Sequence, residues 1–423
     1  MTNITRRHFV KILSAATAVG SFGFSATTIA QTGGRVVVIG GGFGGATCAK
    51  YIRRYGPGIG VALIEPDAKY ITCPFSDTVL AGINSMDFIT HDYGKLRETH
   101  GVNVVQDTAT AIDPVGKTVS TKGGKTLPYD RLVVSPGIDF RWGQIEGYDE
   151  AASEIMPHAW KAGTQTELLR KQLGAMPDGG VVIIAPPPNP FRAPDAPYER
   201  ASMVAHYLKN TKPKSKVLIV DSKSNFEMHD LFTQAWEKFY PGMIDWVEGS
   251  DVLTRVDLKE MKIYAPGGGS FKGDVINVIP PQQAGAITQT AGLTDASGWC
   301  PIDQRTFESS KHKDIHIIGD ACIAGDMPKA GSAANTQAKV CAAAIVSSLT
   351  GGTLPDATLI SIFYLLIDPQ YVLSDVGVYR LAEGKLKKVS GGASSLKATE
   401  THRRKEAKYA ESWYSSITSD AFR

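Results

Sequence analysis

Hydrophobic and polar positions change period several times along this chain. Val36–Ile39 is a continuous apolar run bounded by glycine, the pattern of a strand buried on both faces of a parallel sheet. From Ala46 to Arg54 the apolar positions return at helical spacing, with Ala46, Ala49 and Tyr51/Ile52 on the inner face. Residues 60–66 read as a second buried strand, ending in Glu65. The alternation then recurs. Val181–Ala185 is a strand, Tyr198–Leu208 a helix, and 216–226 contains the next strand. Residues 129–134 form a strand that runs into Ser135-Pro136-Gly137. Ile315–Ile318 is a late strand, followed by a helix over Ser332–Leu349. Such alternation predicts an α/β fold with parallel sheets. Towards the end the period shortens to two. Residues 368–394 predict a β-hairpin turning at Ala382-Glu383-Gly384, and 397–422 a charged amphipathic helix with an aromatic end.

The first 30 residues follow a different rule. Arg6-Arg7, Phe9, an apolar stretch from Ile12 to Ala26 and the small-residue end Thr28-Ile29-Ala30 resemble a twin-arginine translocation signal. The stretch is too short and too rich in Ala, Gly and Ser for a good membrane span. The expectation is a periplasmic protein exported already folded around a cofactor, with no transmembrane segment in the mature chain.

A length of 423 residues and 43% hydrophobic content predict two or three domains with a large core. A net charge of +3 offers no basic face for nucleic acid. The five cysteines, at 48, 73, 300, 322 and 341, contain no C-x-x-C, which excludes a zinc ribbon and a c-type haem on this chain; no metal site is expected.

The strongest chemical signal is Gly40-Gly41-Gly42-Phe43-Gly44-Gly45, a G-x-G-x-x-G between strand and helix. Gly40 makes the tight turn, Gly42 lets a pyrophosphate approach, Gly45 lets helix and strand pack, and Phe43 lies within the turn. The helix N-terminus adds amide donors. Glu65 ends the second strand about twenty residues after Gly45, where a ribose is held. Gly137 resembles the second glycine crossing of flavoproteins with two dinucleotide-binding domains, and Gly319-Asp320 resembles the position whose carboxylate holds the flavin ribityl chain; both resemblances favour FAD over NAD. The middle unit has strand and helix but joins them by Pro186-Pro187-Pro188-Asn189-Pro190, which has no glycine and few N–H groups. It cannot cradle a pyrophosphate, so NAD(P)H is not the expected electron partner. Cys48 reads as a core thiol. The residues alone leave Cys73 open as a packed thiol, half of a disulfide, a reactive thiol or an attachment point.

The twin-arginine leader, Val36-Val37-Val38-Ile39 with its glycine turn, Tyr70-Ile71-Thr72-Cys73-Pro74-Phe75, the proline loop running into Phe191-Arg192-Ala193-Pro194 and Pro197-Tyr198-Glu199-Arg200, Gly298-Trp299-Cys300-Pro301, and Ile318-Gly319-Asp320 together resemble the flavoprotein subunit of flavocytochrome c sulfide dehydrogenase, from residue 1 to about residue 418. The resemblance implies a glutathione-reductase-like flavoprotein with two dinucleotide-binding domains and an α+β C-terminal interface domain. Its divisions would be a leader at 1–30, FAD-binding parts at 31–145 and 285–352, an NAD-domain-like module without a phosphate loop at 146–284, and the interface domain at 353–423. It implies FAD tethered through Cys73, oxidation of sulfide, a sulfide-like small-molecule donor, and electron transfer to a cytochrome c subunit or soluble cytochrome c that carries the only haem. Glu199 matches a family carboxylate near the flavin; its own position also suits an exposed glutamate at a helix start. Lys329 and the Gly331 turn are expected to set a cation or amides at the flavin pyrimidine edge. The family's redox cysteine pair falls here at Ala193 and near Phe363-Tyr364, where no sulfur is present. Two alternatives follow: a relative of the sulfide:quinone oxidoreductases, and a catalytically altered electron-transfer subunit with a donor other than sulfide.

Overall fold

The computed structural model describes residues 33–423 apart from 251, 266 and 268. The expected leader at 1–30 lies outside the described residues. The strand Arg35–Ile39 is central in a five-stranded parallel sheet. The order is Ile315–Ile317, Arg131–Val134, Arg35–Ile39, Gly60–Glu65, Asn103–Gln106. Val36 to Val38, Leu63 and Val133 are all buried, which is why alternation is absent from these strands. The helix Phe43–Tyr55 starts three residues before the expected Ala46, because the last glycines of the turn are already helical. The long helix Gly331–Thr350 packs along it.

A second parallel sheet has the order Ile244–Val247, Lys216–Val220, Val181–Ala185, Val275–Val278. Two segments join its module to the first: Ile138–Phe140 and Gln282–Ala284, which pair antiparallel with Ile138 opposite Ala284.

The last part is a three-stranded antiparallel sheet, Thr358–Asp368, Tyr371–Ala382 and Lys385–Ala393, followed by the helix Glu400–Phe422. The expected hairpin is present. Glu383 and Gly384 both have positive φ, 51° and 75°, the twist that suits a two-residue hairpin. The strand Thr358–Asp368 was not expected. Leu365, Leu366 and Ile367 are buried in succession, so its period-two signal disappears.

The helix Glu400–Phe422 is bound back onto the first sheet's side of the molecule. Lys50 Nζ donates to the carbonyls of Asp420 and Arg423, at 3.0 and 2.5 Å. The Phe422 ring lies among Phe43, Tyr70, His91 and Tyr93. Among the described residues no helix is long and apolar enough to cross a membrane.

Candidate active site

A cavity of about 960 Å³ opens along the C-terminal ends of the first sheet, where ligands of open α/β sheets bind. Gly40, Gly42, Phe43, Glu65, Cys73, Gly137, Gly319 and Asp320 all line it. Gly40 has φ 95°, and a Cβ there would sit 2.2 Å from the Ser135 carbonyl oxygen. Gly42 borders the cavity with the Tyr70 side chain near, its hydroxyl 3.2 Å and its ring 3.3 Å from a built Cβ. Gly45 does not border it. A Cβ there would fall 1.8 Å from the Gly40 oxygen, so its role is the close packing of helix on strand. Glu65 Oε2 accepts from Gly41 N at 2.6 Å, and Oε1 from Asp67 N at 3.1 Å. Burial raises its pKa against the two backbone hydrogen bonds, which pull it down.

At the other end, the Oδ1 of half-buried Asp320 is shut off from solvent and lacks any partner, while Oδ2 lies 3.8 Å from Arg192 Nη1. A buried acceptor without a donor costs about 1–3 kcal/mol unless a ligand supplies one. Glycine amides at a helix N-terminus, a carboxylate after the second strand and an orphaned carboxylate oxygen beyond are the donor and acceptor set that FAD requires. The Gly40–Gly42 turn would hold its pyrophosphate, Glu65 a ribose and Asp320 the ribityl hydroxyls.

A second cavity, of about 110 Å³, shares Cys73, Pro74, Arg192 and Gly331 with the first. Ala193 and Phe363 both line it. Ala193 is held at φ 50° with its N–H donating to the Lys329 carbonyl at 3.1 Å. Cys73 stands at the junction of the two cavities, its Sγ 3.6 Å from the Trp160 carbonyl oxygen. Glu199 also lines the smaller cavity, and Oε1 accepts from Leu366 N at 3.1 Å. Burial first, then the nearby Asp77 carboxylate, lifts its pKa well above the usual carboxylate range. Asp77 is itself satisfied by Arg200, 2.9 Å away, whose other N–H groups bond the His158 and Ala159 carbonyls and Asn277.

Lys329 requires a correction. It lines neither cavity. Its Nζ donates to the carbonyls of Asp320 and Cys322, both at 2.8 Å, and lies 3.9 Å from the centre of the Trp299 ring. A buried ammonium is stable only with such partners, and here it braces the turn that presents Asp320. Gly331, by contrast, borders both cavities at the start of its helix. Cys300 and Cys322 are buried, and burial pushes their thiols up to about 11 and about 12.

Arg192, Trp160 and Trp413 were not singled out from sequence. Arg192 borders both cavities, and its guanidinium bonds the Trp160 carbonyl. Trp160 and Trp413 form walls of the smaller one. In the middle module the corresponding nucleotide position is filled. Asp221 accepts from the Tyr198 hydroxyl at 2.6 Å and from Lys223 Nζ at 2.7 Å. Phe226 stacks on Tyr198 with centroids 3.5 Å apart.

Comparison with known proteins agrees with this geometry. Residues 34–183 match the pyridine nucleotide-disulphide oxidoreductase family. Residues 166–280 match the central domain of the sulfide dehydrogenase (flavocytochrome c) flavoprotein chain, and residues 355–422 the flavin-binding domain of flavocytochrome c sulphide dehydrogenase. The chain is 32% identical over 304 residues to a sulfide-quinone reductase of Aquifex aeolicus, covering 67% of each protein. Over 45 residues it is 60% identical to the sulfide dehydrogenase (flavocytochrome c) flavoprotein chain of Chlorobaculum thiosulfatiphilum, covering 94% of that sequence and 11% of this one. The crystal structure of the sulfide:quinone oxidoreductase from Aquifex aeolicus superposes with a TM-score of 0.72 at 19% identity, covering 91% of this chain and 92% of the other. It shares the fold. This protein is an FAD-dependent oxidoreductase and belongs to the family of flavocytochrome c sulfide dehydrogenase flavoprotein chains.

Proposed function

We propose that this chain is a periplasmic dehydrogenase, exported by the twin-arginine route, that oxidises sulfide or a related reduced sulfur compound and passes the electrons to a cytochrome c. Bound FAD would supply two-electron uptake from the donor and single-electron release. The observation that carries the reading is the junction of the two cavities at Cys73, Arg192 and Gly331, which gives a small donor in one cavity access to a flavin in the other. Cys73 is the thiol available there for a covalent bond to the cofactor, which would keep FAD on the exported protein. Glu199 is the group placed to take up a proton from the donor, because it lines the smaller cavity and burial raises its proton affinity. The helix Glu400–Phe422 and the strand Thr358–Asp368 roof the smaller cavity through Trp413 and Phe363, and their outer faces are the surface offered to a cytochrome partner, which holds the haem.

A second reading is favoured by one observation. Ala193 and Phe363 leave the smaller cavity without a thiol apart from Cys73, so the donor would be a compound other than sulfide. Anaerobic titration with sulfide while following flavin absorbance separates the two. Bleaching at up to millimolar sulfide supports sulfide oxidation; an unchanged spectrum, with bleaching by dithionite, supports another donor.

A further inference from the structure

Cys73 sits in a turn whose neighbouring side chains are held from the far end of the chain. Thr72 N donates to the Ile89 carbonyl at 2.9 Å, and Ser76 N to the Cys73 carbonyl at 3.0 Å. Phe75, two residues after the cysteine, has a positive φ of 65°. Tyr414, on the helix Glu400–Phe422, is buried against this turn. Its ring centre lies 4.6 Å from that of Phe75 and 5.2 Å from that of Phe88, on which it stacks. Its hydroxyl lies 2.7 Å from Thr72 Oγ1 and 3.1 Å from His91 Nε2. Thr72 Oγ1 gives its one hydrogen to the Pro74 carbonyl, at 3.0 Å. Tyr414 is therefore the donor to Thr72, and His91 Nε2–H the donor to Tyr414. The bonds run one way, from His91 through Tyr414 and Thr72 to Pro74, and each hydroxyl gives once and receives once. The last bond bridges the two neighbours of Cys73. The sulfur takes no part in this network: Sγ meets the Trp160 carbonyl oxygen at 3.6 Å, and the residue borders both cavities.

We propose that Tyr414 is the positioning residue for Cys73: through Thr72 and Phe75 it fixes where the sulfur stands at the edge of the flavin. The inference rests on the covalent attachment in the proposed function and deepens it. In that step the S–H bond of Cys73 and one C–H bond of a methyl carbon on the flavin ring break, and an S–C bond forms. With FAD as the oxidant, two protons and two electrons end on the flavin, which is left reduced; the electrons then pass to the acceptor and the protons to water. Such a bond needs sulfur and carbon in a near-attack placement, about 3–3.5 Å apart, and a misplacement of about 1 Å can cost about a hundredfold in rate. The turn receives that precision from outside itself. The helix carrying Tyr414 is anchored through Lys50 to the carbonyls of Asp420 and Arg423, and Trp413, the preceding residue, walls the smaller cavity. One helix thus sets both the attachment point of the cofactor and a wall of the donor cavity.

The test uses the full chain loaded with FAD, in the wild type and three variants. Tyr414→Phe keeps the ring and removes the hydroxyl; Thr72→Val removes the partner hydroxyl and Thr72→Ser keeps it. Covalent FAD is measured by denaturing mass spectrometry at intervals after FAD is added, beside total bound FAD from absorbance. Tyr414→Phe and Thr72→Val should bind FAD in the wild-type amount and form the covalent bond about tenfold or more slowly. Thr72→Ser should form it at the wild-type rate. Thr72→Val reports on the same hydrogen bond should Tyr414→Phe not fold. A wild-type rate in Tyr414→Phe or in Thr72→Val overturns the proposal. So does loss of bound FAD in step with loss of the bond, which is what a merely structural role gives. A wild type that forms no bond overturns the attachment alone. The positioning is then read from iodoacetamide labelling of Cys73 in the FAD-loaded protein, which should run about tenfold faster in Tyr414→Phe and Thr72→Val than in the wild type; equal rates overturn it.

Discussion

Ala193 and Phe363, one on the loop before the helix Ala196–Thr211 and the other on the strand Thr358–Asp368, line the same small cavity beside Cys73. The two positions expected to carry the family's redox sulfurs therefore do converge, and they converge without sulfur. Neither an Ala methyl nor a Phe ring can attack or be attacked as a thiolate can. The double substitution Ala193→Cys with Phe363→Cys should give two further titratable thiols. It should also raise the rate of sulfide-driven flavin bleaching by about tenfold or more, the scale of a nucleophile restored to a site. Stopped-flow absorbance measures this. An unchanged rate would show that sulfide reacts here without a thiol relay.

Cys73→Ser should leave the fold intact, because Sγ touches only the Trp160 carbonyl at hydrogen-bond range. The variant should release its flavin on acid precipitation, whereas the wild-type pellet stays yellow and keeps the added mass in denaturing mass spectrometry. A colourless wild-type pellet would end the covalent assignment.

Two glycines of the same motif should respond differently. Gly45→Ala puts a methyl 1.8 Å from a backbone oxygen that cannot move away, so it should cost about 3 kcal/mol or more, or abolish folding. Gly42→Ala meets only the Tyr70 side chain, its hydroxyl at 3.2 Å and two ring carbons at 3.3 Å. It should fold, melt within a few degrees of the wild type, and retain less FAD. Thermal unfolding and flavin-to-protein absorbance ratios check both.

Stability should fall as pH rises through the neutral range. Asp195 is raised to about 8 and Glu199 well above its usual value, so the folded chain binds more protons than the unfolded one across that interval. Below the unfolded values, near pH 4, both states are protonated and the groups make no difference. Above that, each removes at most about 1.4 kcal/mol per pH unit until its folded pKa is passed. Asp195→Asn should flatten its share of the slope, measured as urea unfolding from about pH 5 to about pH 8. An equally steep slope in the variant would place the dependence elsewhere.

The parts of the site that were legible in the sequence are those whose signal is local. The Gly40–Gly45 turn, Glu65, Gly137 and Gly319-Asp320 each follow a strand whose burial forces a recognisable apolar run. Trp160, Arg192 and Trp413 have no such context. They reach the smaller cavity from three separate segments, and only their packing brings them together. Lys329 misled for a related reason. A lysine beside a glycine turn looks like a free cation, and what decides its role is the pair of main-chain carbonyls folded over it.

The contact of Lys50 with the Arg423 carbonyl spans 373 positions of chain. The helix that follows the glycine turn is covered by two segments distant in sequence, the helix Gly331–Thr350 and residues beyond 400. A chain shortened before residue 400 would lose the Phe422 ring from among Phe43, Tyr70, His91 and Tyr93, and with it the clamp that joins two segments more than three hundred positions apart.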